Sequence, residues 1–582
     1  MDKKVYEFIS KQMQDPIVEW KTCKITGEPF AIFQSDIDFY EKVSPVFGGK
    51  KINLPTPTLC PEERWKRRLL FKNERALFRN TCASTWKPII SIHAPDSGFK
   101  VFSVAAWRSD SWNPMDYGKT YDPSIPFFEQ YKELYRTVPQ IAIMNDNGVA
   151  SENIEYCQNV AYSKNCYLTT VAWKLEHSYY SSNMAGGNRL LDCFFTMTSE
   201  NCYECCDSNH LYWCFRLQYA FNCQNCRFGY DLAGCKDCIG CVNLRDKQYC
   251  IYNKQYSKED YEAYKTKFLA ELPNNFSTLY DQFQSFVVQQ PHRALYNTNA
   301  TNTYSSNLFN AENARFCYNI QNAKDTKYCV FGDTIEDAMD LTVWWELQLC
   351  YEGNVPDHSY KACFTVFCRS CTNILYSEMC HHCQDCFWCV GLRNKQYCIL
   401  NKQYTKEEYE TLVPQIIEHM KTEWTWGEFF HHGVAPYSYN VSTVMDYFPL
   451  TRDEALAQWY RWRDVREEIN MPTWIESVAA RDIPTNSNEV ADDILKKAIV
   501  CEVSWRPFRV LAPELEFYRK WNIPFPHKHP DVRFEARLQR MPKKQLNLRH
   551  CDKCGIEMLS VYKEQEVFKV YCESCYNKAI YW

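Results

Sequence analysis

The sequence predicts a mainly β, multidomain protein in which two short parallel β-solenoids are flanked by smaller cysteine-rich modules and capping helices. The stretch from Cys235 to Tyr256 returns almost unchanged from Cys383 to Tyr404, so the middle of the chain is duplicated. Cysteines in each copy recur at a step of 21 residues, and a fixed period of this size indicates turns of about 21 residues that stack. At 582 residues, the chain is also too long for one hydrophobic core.

Composition narrows the classes of function. A formal net charge of -5 argues against nucleic-acid binding over the whole surface, while leaving local basic patches open. The first residues lack the apolar core of a signal peptide, and no run of about 18 apolar residues could span a membrane. We therefore expect a cytoplasmic protein whose 32 cysteines are metal ligands or buried thiols rather than disulfides.

The two ends of the chain are copies of one another. The segment that begins at Cys23 matches the segment that begins at Cys501, and Cys60 falls opposite His529. The first segment carries D-I-D-F-Y and the second E-L-E-F-Y after the cysteine, and in this respect each resembles the zinc-ribbon, treble-clef-like domain family, whose pattern includes E-x-E-F-Y or a similar motif. That resemblance implies a metal site built from four cysteines at each end.

Both of these copies depart from the four-cysteine pattern. In place of the other ligands, the first copy has Thr26 and Glu63, and the second has Ser504 and Val532. A structural zinc ion needs four ligands in a closed tetrahedron, and two cannot close it. We expect both copies to have lost the metal and to be held together by their aromatic cores.

A second cysteine module follows each of these copies. Near the C-terminus the spacing C-x2-C-x17-C-x2-C predicts a zinc ribbon in which zinc is the cofactor, with a β-hairpin between the two cysteine pairs. The N-terminal counterpart keeps Cys82 but has Thr85, Ser103 and Ala106 in place of the other ligands, so we expect it to be metal-free. The predicted metal ligands are Cys551, Cys554, Cys572 and Cys575.

A basic segment separates the two modules at each end. Residues 64–79 hold seven Lys or Arg against one Glu, and residues 533–553 hold seven against two acidic residues. Such helices can grip phosphate backbones, or they can simply pack their apolar side chains on the neighbouring module. The candidate nucleic-acid contacts are Arg64, Arg67, Arg68, Arg537, Lys543 and Lys544.

The duplicated middle is predicted to form the two solenoids, residues 151–256 and 311–404, each with a ladder of Cys, Asn and aromatic side chains inside. On this interpretation Cys193, Cys214 and Cys235 lie in line, with neighbouring Cα atoms about 5 Å apart. The cysteines have three interpretations: an inert buried ladder, a bound metal, or an iron–sulfur cluster or redox dithiol. The candidate metal ligands here are Cys202, Cys205, Cys223, Cys226, Cys380 and Cys383.

A helix is predicted to close each solenoid. Ser257 and Thr405 each stand three residues before an acidic residue, which is the pattern of a capping box. A third helix with the same signal is predicted from Thr451 toward Glu468. The predicted division of the chain is 1–63, 64–109, 110–150 (connector), 151–275 (first solenoid and helix), 276–310 (linker), 311–420 (second solenoid and helix), 421–495 (aromatic connector and helix), 496–532 and 533–582.

No motif of a known catalytic class stands out in the sequence. The whole layout resembles uncharacterised proteins of uncultivated bacteria that combine zinc ribbons with cysteine repeats. The first hypothesis is a non-catalytic, zinc-binding scaffold that binds a protein partner through aromatic solenoid faces. The second is an RNA- or ribosome-associated protein, and the third is a metal- or thiol-dependent enzyme. Neither a membrane nor a small-molecule substrate is expected as a partner.

Overall fold

The computed structural model describes residues 1–146, 150–464 and 472–581. Its N-terminal part consists of two small modules and a connector that ends in a helix. Three antiparallel hairpins, β1–β2, β3–β4 and β5–β6, and one parallel pair, β7–β8, supply the sheets. The elements are α1 Lys3–Met13, β1 Ile17–Thr22, β2 Pro29–Phe33, α2 Gln34–Val43, β3 Val46–Phe47, β4 Lys50–Lys51, α3 Pro61–Leu69, β5 Phe78–Thr81, β6 Pro88–Ser91, 3-10 helix Pro95–Ser97, β7 Val101–Phe102, α4 Val104–Arg108, 3-10 helix Pro114–Tyr117, α5 Phe127–Thr137 and β8 Gln140–Ile141.

The middle of the chain forms two closed parallel β-barrels, each followed by a long helix. The first barrel comprises β9 Gln158–Ala161, β10 Thr170–Glu176, β11 Ser182–Leu191, β12 Phe194–Tyr203, β13 Cys206–Tyr212, β14 Phe215–Gln218, β15 Phe221–Gln224, β16 Arg227–Tyr230, β17 Lys236–Val242, β18 Gln248–Ile251 and β19 Lys254–Gln255, and helix α6 Lys258–Gln289 follows it. Strand β20 Pro291–Arg293 then leads to the second barrel. This comprises β21 Thr298–Thr301, β22 Tyr304–Lys327, β23 Val330–Gln348, β24 Tyr351–Asn354, β25 Tyr360–Val366, β26 Thr372–Glu378, β27 Gln384–Phe387, β28 Gln396–Ile399 and β29 Lys402–Gln403, followed by α7 Lys406–Thr422.

The C-terminal part mirrors the N-terminal part, with two further small modules after an irregular connector. Strand β35 pairs in parallel with β20, which ties the last module to the strand that follows helix α6. The elements are α8 Val444–Tyr447, α9 Arg452–Ala457, β30 Ser477–Ala479, 3-10 helices Ala480–Asp482 and Asp492–Lys496, β31 Ala498–Val500, β32 Pro507–Phe508, α10 Ala512–Trp521, α11 Pro530–Arg540, β33 Asn547–His550, β34 Glu557–Ser560, β35 Lys569–Tyr571 and α12 Glu573–Tyr581.

The parallel strands pair at a step of twelve residues, so the predicted step of 21 is wrong. Phe194 pairs with Cys206, and Cys238 pairs with Cys250, and the second barrel keeps the same offset. Cys193 therefore does not lie in line with Cys214. Two turns less one side of three residues make 21 residues. Residues 21 apart therefore lie on neighbouring sides of the barrel and not in one column. The cysteines that do share one column are Cys202, Cys214, Cys226, Cys238 and Cys250.

A second period, of three residues, shapes each turn. Every third residue of the barrels has a positive φ, from Asn201 (51°) through Glu204 (50°) to Asp207 (48°), for example. The residue after each of these positions faces inward, and each interior is a buried cluster of small and aliphatic side chains without an aromatic residue. Aromatic side chains pack on the outside instead, which corrects the predicted internal aromatic ladder. The sides are short, so small and aliphatic side chains fit between them and aromatic rings do not.

Cysteine suits these inward positions because it is small and can donate a weak hydrogen bond. The thiol of Cys193 lies 3.5 Å from the carbonyl oxygen of Leu191 and 3.6 Å from that of Cys202. Ser181 uses its hydroxyl in the same way, toward the carbonyl oxygens of Tyr179 and Leu190. Cysteine and serine thus fill one structural role in the barrels.

Asparagine ladders are present, but they lie on the outside rather than inside as predicted. Asn and Asp tolerate the left-handed conformation better than most residues, which explains their frequency at the positions of positive φ. The amide of Asn299 donates to Asn310 at 2.6 Å, and that of Asn310 donates to Asn322 at 3.1 Å. Both contacts are exposed, so the amides tie successive turns together along an edge.

The helices predicted to follow the barrels are confirmed. Ser257 caps α6 by accepting from the Asp260 backbone N–H, and Thr405 forms a full capping box with Glu408 at the start of α7. Helix α6 is kinked at Asn275, two residues after Pro273, and continues to Gln289, through part of the predicted linker. The third predicted helix begins after its cap but ends at Ala457, and residues 465–468 of that prediction lie outside the described residues. None of the helices described is long and apolar enough to cross a membrane.

One buried carboxyl in this fold should make stability depend on pH. Glu378 of β26 is 3% exposed, and burial raises its pKa to about 8, although the hydroxyl of Tyr135 donates to it at 2.8 Å. The native protein then binds one proton more than the unfolded chain between about pH 4.5 and about pH 8, so stability should fall as pH rises through this range. Glu378→Gln should flatten that fall, which urea denaturation at several pH values would measure. An unchanged pH profile in the variant would contradict the assignment.

Candidate metal centre

Four cysteines of the last module meet at one point. The first pair lies in the turn between β33 and β34, where Gly555 (φ +72°) allows its N–H to reach the carbonyl oxygen of Cys551 at 2.9 Å. The second pair lies at the start of α12, where the Tyr576 N–H donates to the carbonyl oxygen of Cys572 at 2.8 Å. A tight turn and a helix start thus aim two thiols each at the same space.

The geometry of the four sulfur atoms fits a tetrahedral metal ion. All four lie within 4.8 Å of one another, and the Sγ atoms of Cys554 and Cys572 are 3.8 Å apart. Metal–sulfur bonds of about 2.3 Å in a regular tetrahedron place the sulfur atoms about 3.8 Å apart. These residues, Cys551, Cys554, Cys572 and Cys575, could therefore hold a metal ion with little rearrangement.

The surroundings of Cys551 favour the thiolate that a metal requires. Burial alone would raise the pKa of this thiol, but backbone N–H groups of Cys572, Cys554 and Lys553 point at its sulfur and lower the pKa to about 6. The Cys572 N–H lies 3.3 Å from that sulfur. Proximity to other sulfur atoms has the opposite effect on Cys575 and raises its pKa to about 12. A bound metal cation would favour the thiolate form of all four cysteines, so metal binding would release their protons.

The hairpin predicted between the two cysteine pairs is not formed. Strand β34 pairs instead with β33, on the other side of the first pair, and β35 pairs with β20 from a distant part of the chain. The centre is therefore assembled from one hairpin turn and one helix start. Spacing alone could not distinguish these arrangements, since both place two pairs of cysteines about one metal.

The same backbone arrangement recurs around Cys82 without the other thiols. The Ser103 N–H lies 3.2 Å from the sulfur of Cys82, as the Cys572 N–H does from Cys551. Trp86 takes the position of Gly555, with φ 58°, and its N–H donates to the Cys82 carbonyl oxygen at 2.8 Å. This module thus keeps the shape of the metal centre while Thr85, Ser103 and Ala106 occupy the other ligand positions.

The module around Cys501 is built in the same way. His529 places its N–H 3.2 Å from the Cys501 sulfur and accepts, through its side chain, from the N–H of Asp531 at the start of α11. Cys60 likewise stands before α3, and its N–H lowers the pKa of Cys23 against the opposing effect of burial. In the part of the chain that the structure describes, the C-terminal group is the one set of three or more His, Cys, Asp or Glu found with ligand atoms close enough for a metal.

The candidate metal ligands of the barrels lie in the interior. Cys202, Cys205, Cys226 and Cys380 are fully buried, and Cys223 and Cys383 are 2% exposed. The thiol of Cys226 lies 3.3 Å from the carbonyl oxygen of Gln224 and 3.5 Å from that of Cys235. These side chains occupy the same positions as serine and threonine elsewhere in the barrels, which supports the interpretation of an inert buried ladder.

The arginines of α3 point into the protein rather than outward. Arg64 and Arg68 are 1% and 0% exposed. Arg64 pairs with Asp340 at 2.9 Å, and Arg67 pairs with Glu352 at 3.1 Å. Asp340 and Glu352 are neighbours on adjacent turns of the second barrel, so three guanidinium groups offset two stacked carboxylates. This charge is not available to an external phosphate.

Helix α11 repeats this contact on the other barrel. Arg537, which is 1% exposed, pairs with Asp192 at 2.6 Å, and Arg540 pairs with Glu204 at 3.5 Å. Asp192 and Glu204 are again twelve residues apart. They precede Asp340 and Glu352 by the same number of residues as Cys235 precedes Cys383, so the two acidic pairs occupy equivalent positions in the two copies.

The N-terminal modules therefore rest on the second barrel and the C-terminal modules rest on the first. Lys544 also faces inward, toward Asn319, and Lys543 is the exposed member of the predicted set. The acidic pairs were not predicted from the sequence, although their twelve-residue spacing is a signal that could have revealed them.

Comparison with known proteins assigns no family to this chain. No family model and no curated protein matches it. Among solved structures, it is similar in part to a candidate acetyltransferase from Desulfovibrio desulfuricans G20, at 11% sequence identity, over 38% of this chain and 62% of that chain. The TM-score of 0.09 is too low for this similarity to carry any argument about fold or function.

Proposed function

We propose that this protein is a non-catalytic, zinc-binding scaffold that binds a protein partner through exposed aromatic side chains. The metal would be zinc, because four thiolates in a closed tetrahedron are the ligand set of structural zinc sites. All four positions are supplied by the protein, which leaves none open for water or substrate. Zinc in such a site stabilises the module instead of reacting.

The two barrels, in this proposal, are short β-solenoids with twelve residues per turn. Turns of this kind stack at about 4.8 Å and give a straight, stiff body with flat faces. The buried arginine contacts of α3 and α11 fix the modules at defined places on these bodies. A rigid frame that holds four small modules apart suits a scaffold.

The observation that carries the proposal is a set of tryptophans that the fold leaves in solvent. Tryptophan is enriched at the energetic centres of protein interfaces. Four of these side chains sit at a positive φ in a turn or at a helix end, where the backbone N–H donates to a carbonyl oxygen three or four residues earlier, so the side chain projects from the surface. The five are between 72% and 83% exposed: Trp86, Trp424, Trp459, Trp474 and Trp505.

Quantitative affinity capture from cell extract would test this proposal. A variant that combines Trp86→Ser, Trp424→Ser, Trp459→Ser and Trp505→Ser should lose the protein partners that the wild type enriches. We expect the recovered amount of each partner to fall at least about tenfold. A matched variant with Ser at the exposed barrel residues Tyr156, Tyr162, Tyr212 and Tyr360 would show whether the barrel faces take part. Equal recovery by the wild type and both variants would contradict the proposal.

RNA or ribosome association is the second candidate, and the capture experiment separates it from the first. Nuclease treatment should leave the partners bound if they are held by protein contacts. Loss of all partners on nuclease treatment would favour RNA. Reversal of the charge on Lys543 should then weaken capture, since that residue is exposed.

A further inference from the structure

A cleft runs between the two barrels, away from the metal centre. It has a volume of about 210 Å³ and is lined from both sides by residues of the barrel walls. On the second barrel, five apolar side chains at twelve-residue spacing form one wall: Phe331, Val343, Val355, Phe367 and Met379. Val171, Phe195 and Met197 of the first barrel face them.

The cleft is apolar at some cost to the backbone. The wall residues of the second barrel occupy positions of positive φ, where Asn and Asp are favoured elsewhere in the barrels. Val171, Val343 and Val355 adopt φ angles of 50°, 55° and 54°, and a β-branched residue in this region is an outlier. In the described residues, these are all the valines with a positive φ, and all three line the cleft. Thr198 and Thr334 are β-branched residues that adopt a positive φ outside the cleft, so this backbone conformation belongs to the barrels as a whole and the apolar side chains are what distinguish the cleft.

The mouth of the cleft carries positive charge. Arg108 and Arg369 line the cleft itself, and Arg393 stands just outside it in a connected depression. Arg369 pairs with Asp357 at 3.1 Å. Neither Arg108 nor Arg393 has a carboxylate within 4.0 Å among the described residues, and both donate to backbone carbonyl groups.

The two arginines without carboxylate partners also repel each other. Burial lowers the pKa of Arg393, against the opposing effect of Asp110, and Arg108 lowers it further. Burial likewise lowers the pKa of Arg108, against Asp146, with Arg369 adding to the effect. Asp146 is engaged by the backbone N–H of Tyr162 at 3.1 Å. Arg108, Arg369 and Arg393 thus meet two carboxylates at this mouth, Asp146 and Asp357, which leaves a net positive charge there for an anion. A third carboxylate, Asp333, also lines the cleft and accepts from the amide of Asn322 at 2.7 Å.

We propose that this cleft binds a small apolar anion, an aromatic or short-chain carboxylate, with its apolar end against the valines and its carboxylate at Arg108 and Arg369. An apolar cavity of about 150 Å³ in another protein already takes up benzene, so the cleft is large enough for one ring or a short chain. It is smaller than the ~300–1,000 Å³ typical of sites for larger ligands. The proposal is independent of the metal centre and of the exposed tryptophans.

Isothermal titration calorimetry of the full-length protein with sodium phenylacetate and sodium hexanoate tests this site. At least one probe should bind, and phenylacetamide, which has the ring without the charge, should bind at least about tenfold more weakly than phenylacetate. Arg108→Gln should weaken binding of the carboxylate by a similar factor. Arg189→Gln, an exposed change on the first barrel outside the cleft, should leave it unchanged.

A second variant tests the position of the apolar end. Ala185 lines the cleft, so Ala185→Trp should fill it and abolish binding, while circular dichroism shows whether the fold is kept. Failure of both probes to bind the wild type would overturn the proposal. Equal affinity for phenylacetate and phenylacetamide would overturn the part played by the arginines, and this comparison needs no variant to fold.

Discussion

Replacement of Cys572 by serine is expected to abolish metal binding and to unfold the last module of the chain. The wild type should contain about one zinc ion per chain, and the variant about none, because three thiols do not close the tetrahedron. Zinc-site binding energy is largely folding energy in a module this small. Elemental analysis would measure the metal, and hydrogen exchange should show loss of protection over α12 and β35, where β35 pairs with β20.

Cys82→Ser is the matched control for this experiment. Its sulfur accepts from a backbone N–H at 3.2 Å, as that of Cys551 does at 3.3 Å, but the other three ligand positions lack thiols. The control should therefore keep the metal content of the wild type. Metal lost from Cys82→Ser and kept in Cys572→Ser would show that the metal lies at the other end of the chain.

Replacement of Arg68 by alanine is expected to lower the free energy of unfolding by about 3–5 kcal/mol. The side chain is 0% exposed and contacts Asp340 at 3.2 Å and Glu352 at 3.4 Å. Without it, two stacked carboxylates stay buried with less positive charge around them, and Glu352 already has a raised pKa from burial. Urea denaturation monitored by hydrogen exchange in the second barrel would measure the loss.

The exposed pair of Lys42 and Asp337 provides the control for the buried contact. Their atoms are 3.1 Å apart, but the lysine side chain is 56% exposed, so Lys42→Ala should cost about 1 kcal/mol or less. Arg537→Ala, at the equivalent contact with Asp192 on the first barrel, should resemble Arg68→Ala. A loss as small as that of Lys42→Ala in both arginine variants would contradict the role given to these contacts.

Sequence alone could establish that the middle is duplicated but not how its turns stack. Cysteine occupies more than one inner column, so a spacing of 21 between Cys193 and Cys214 is as regular as the true spacing of twelve. The run Cys202, Cys214 and Cys226 contained the correct period. What the sequence does not reveal is the positive φ at every third residue, which makes each side short and each turn twelve residues long.

The meeting of the four C-terminal cysteines could be predicted because paired cysteines at that spacing are typical of metal sites. The environment of the basic segments could not. A helix with Arg64, Arg67 and Arg68 looks exposed until its partners are known, and those partners lie nearly 300 residues away on the second barrel. The inter-barrel cleft was missed for the same reason, since its walls come from both copies of the duplication.

The twelve-residue register limits the ways in which this chain can change length. An insertion of twelve residues would add one complete turn and leave every later side chain facing as before. An insertion of three would rotate everything after it by one side of the barrel, which would carry Asp340 away from Arg64. Viable insertions and deletions inside the barrels should therefore come in whole turns, so that the distance between their ends changes in increments of about 4.8 Å.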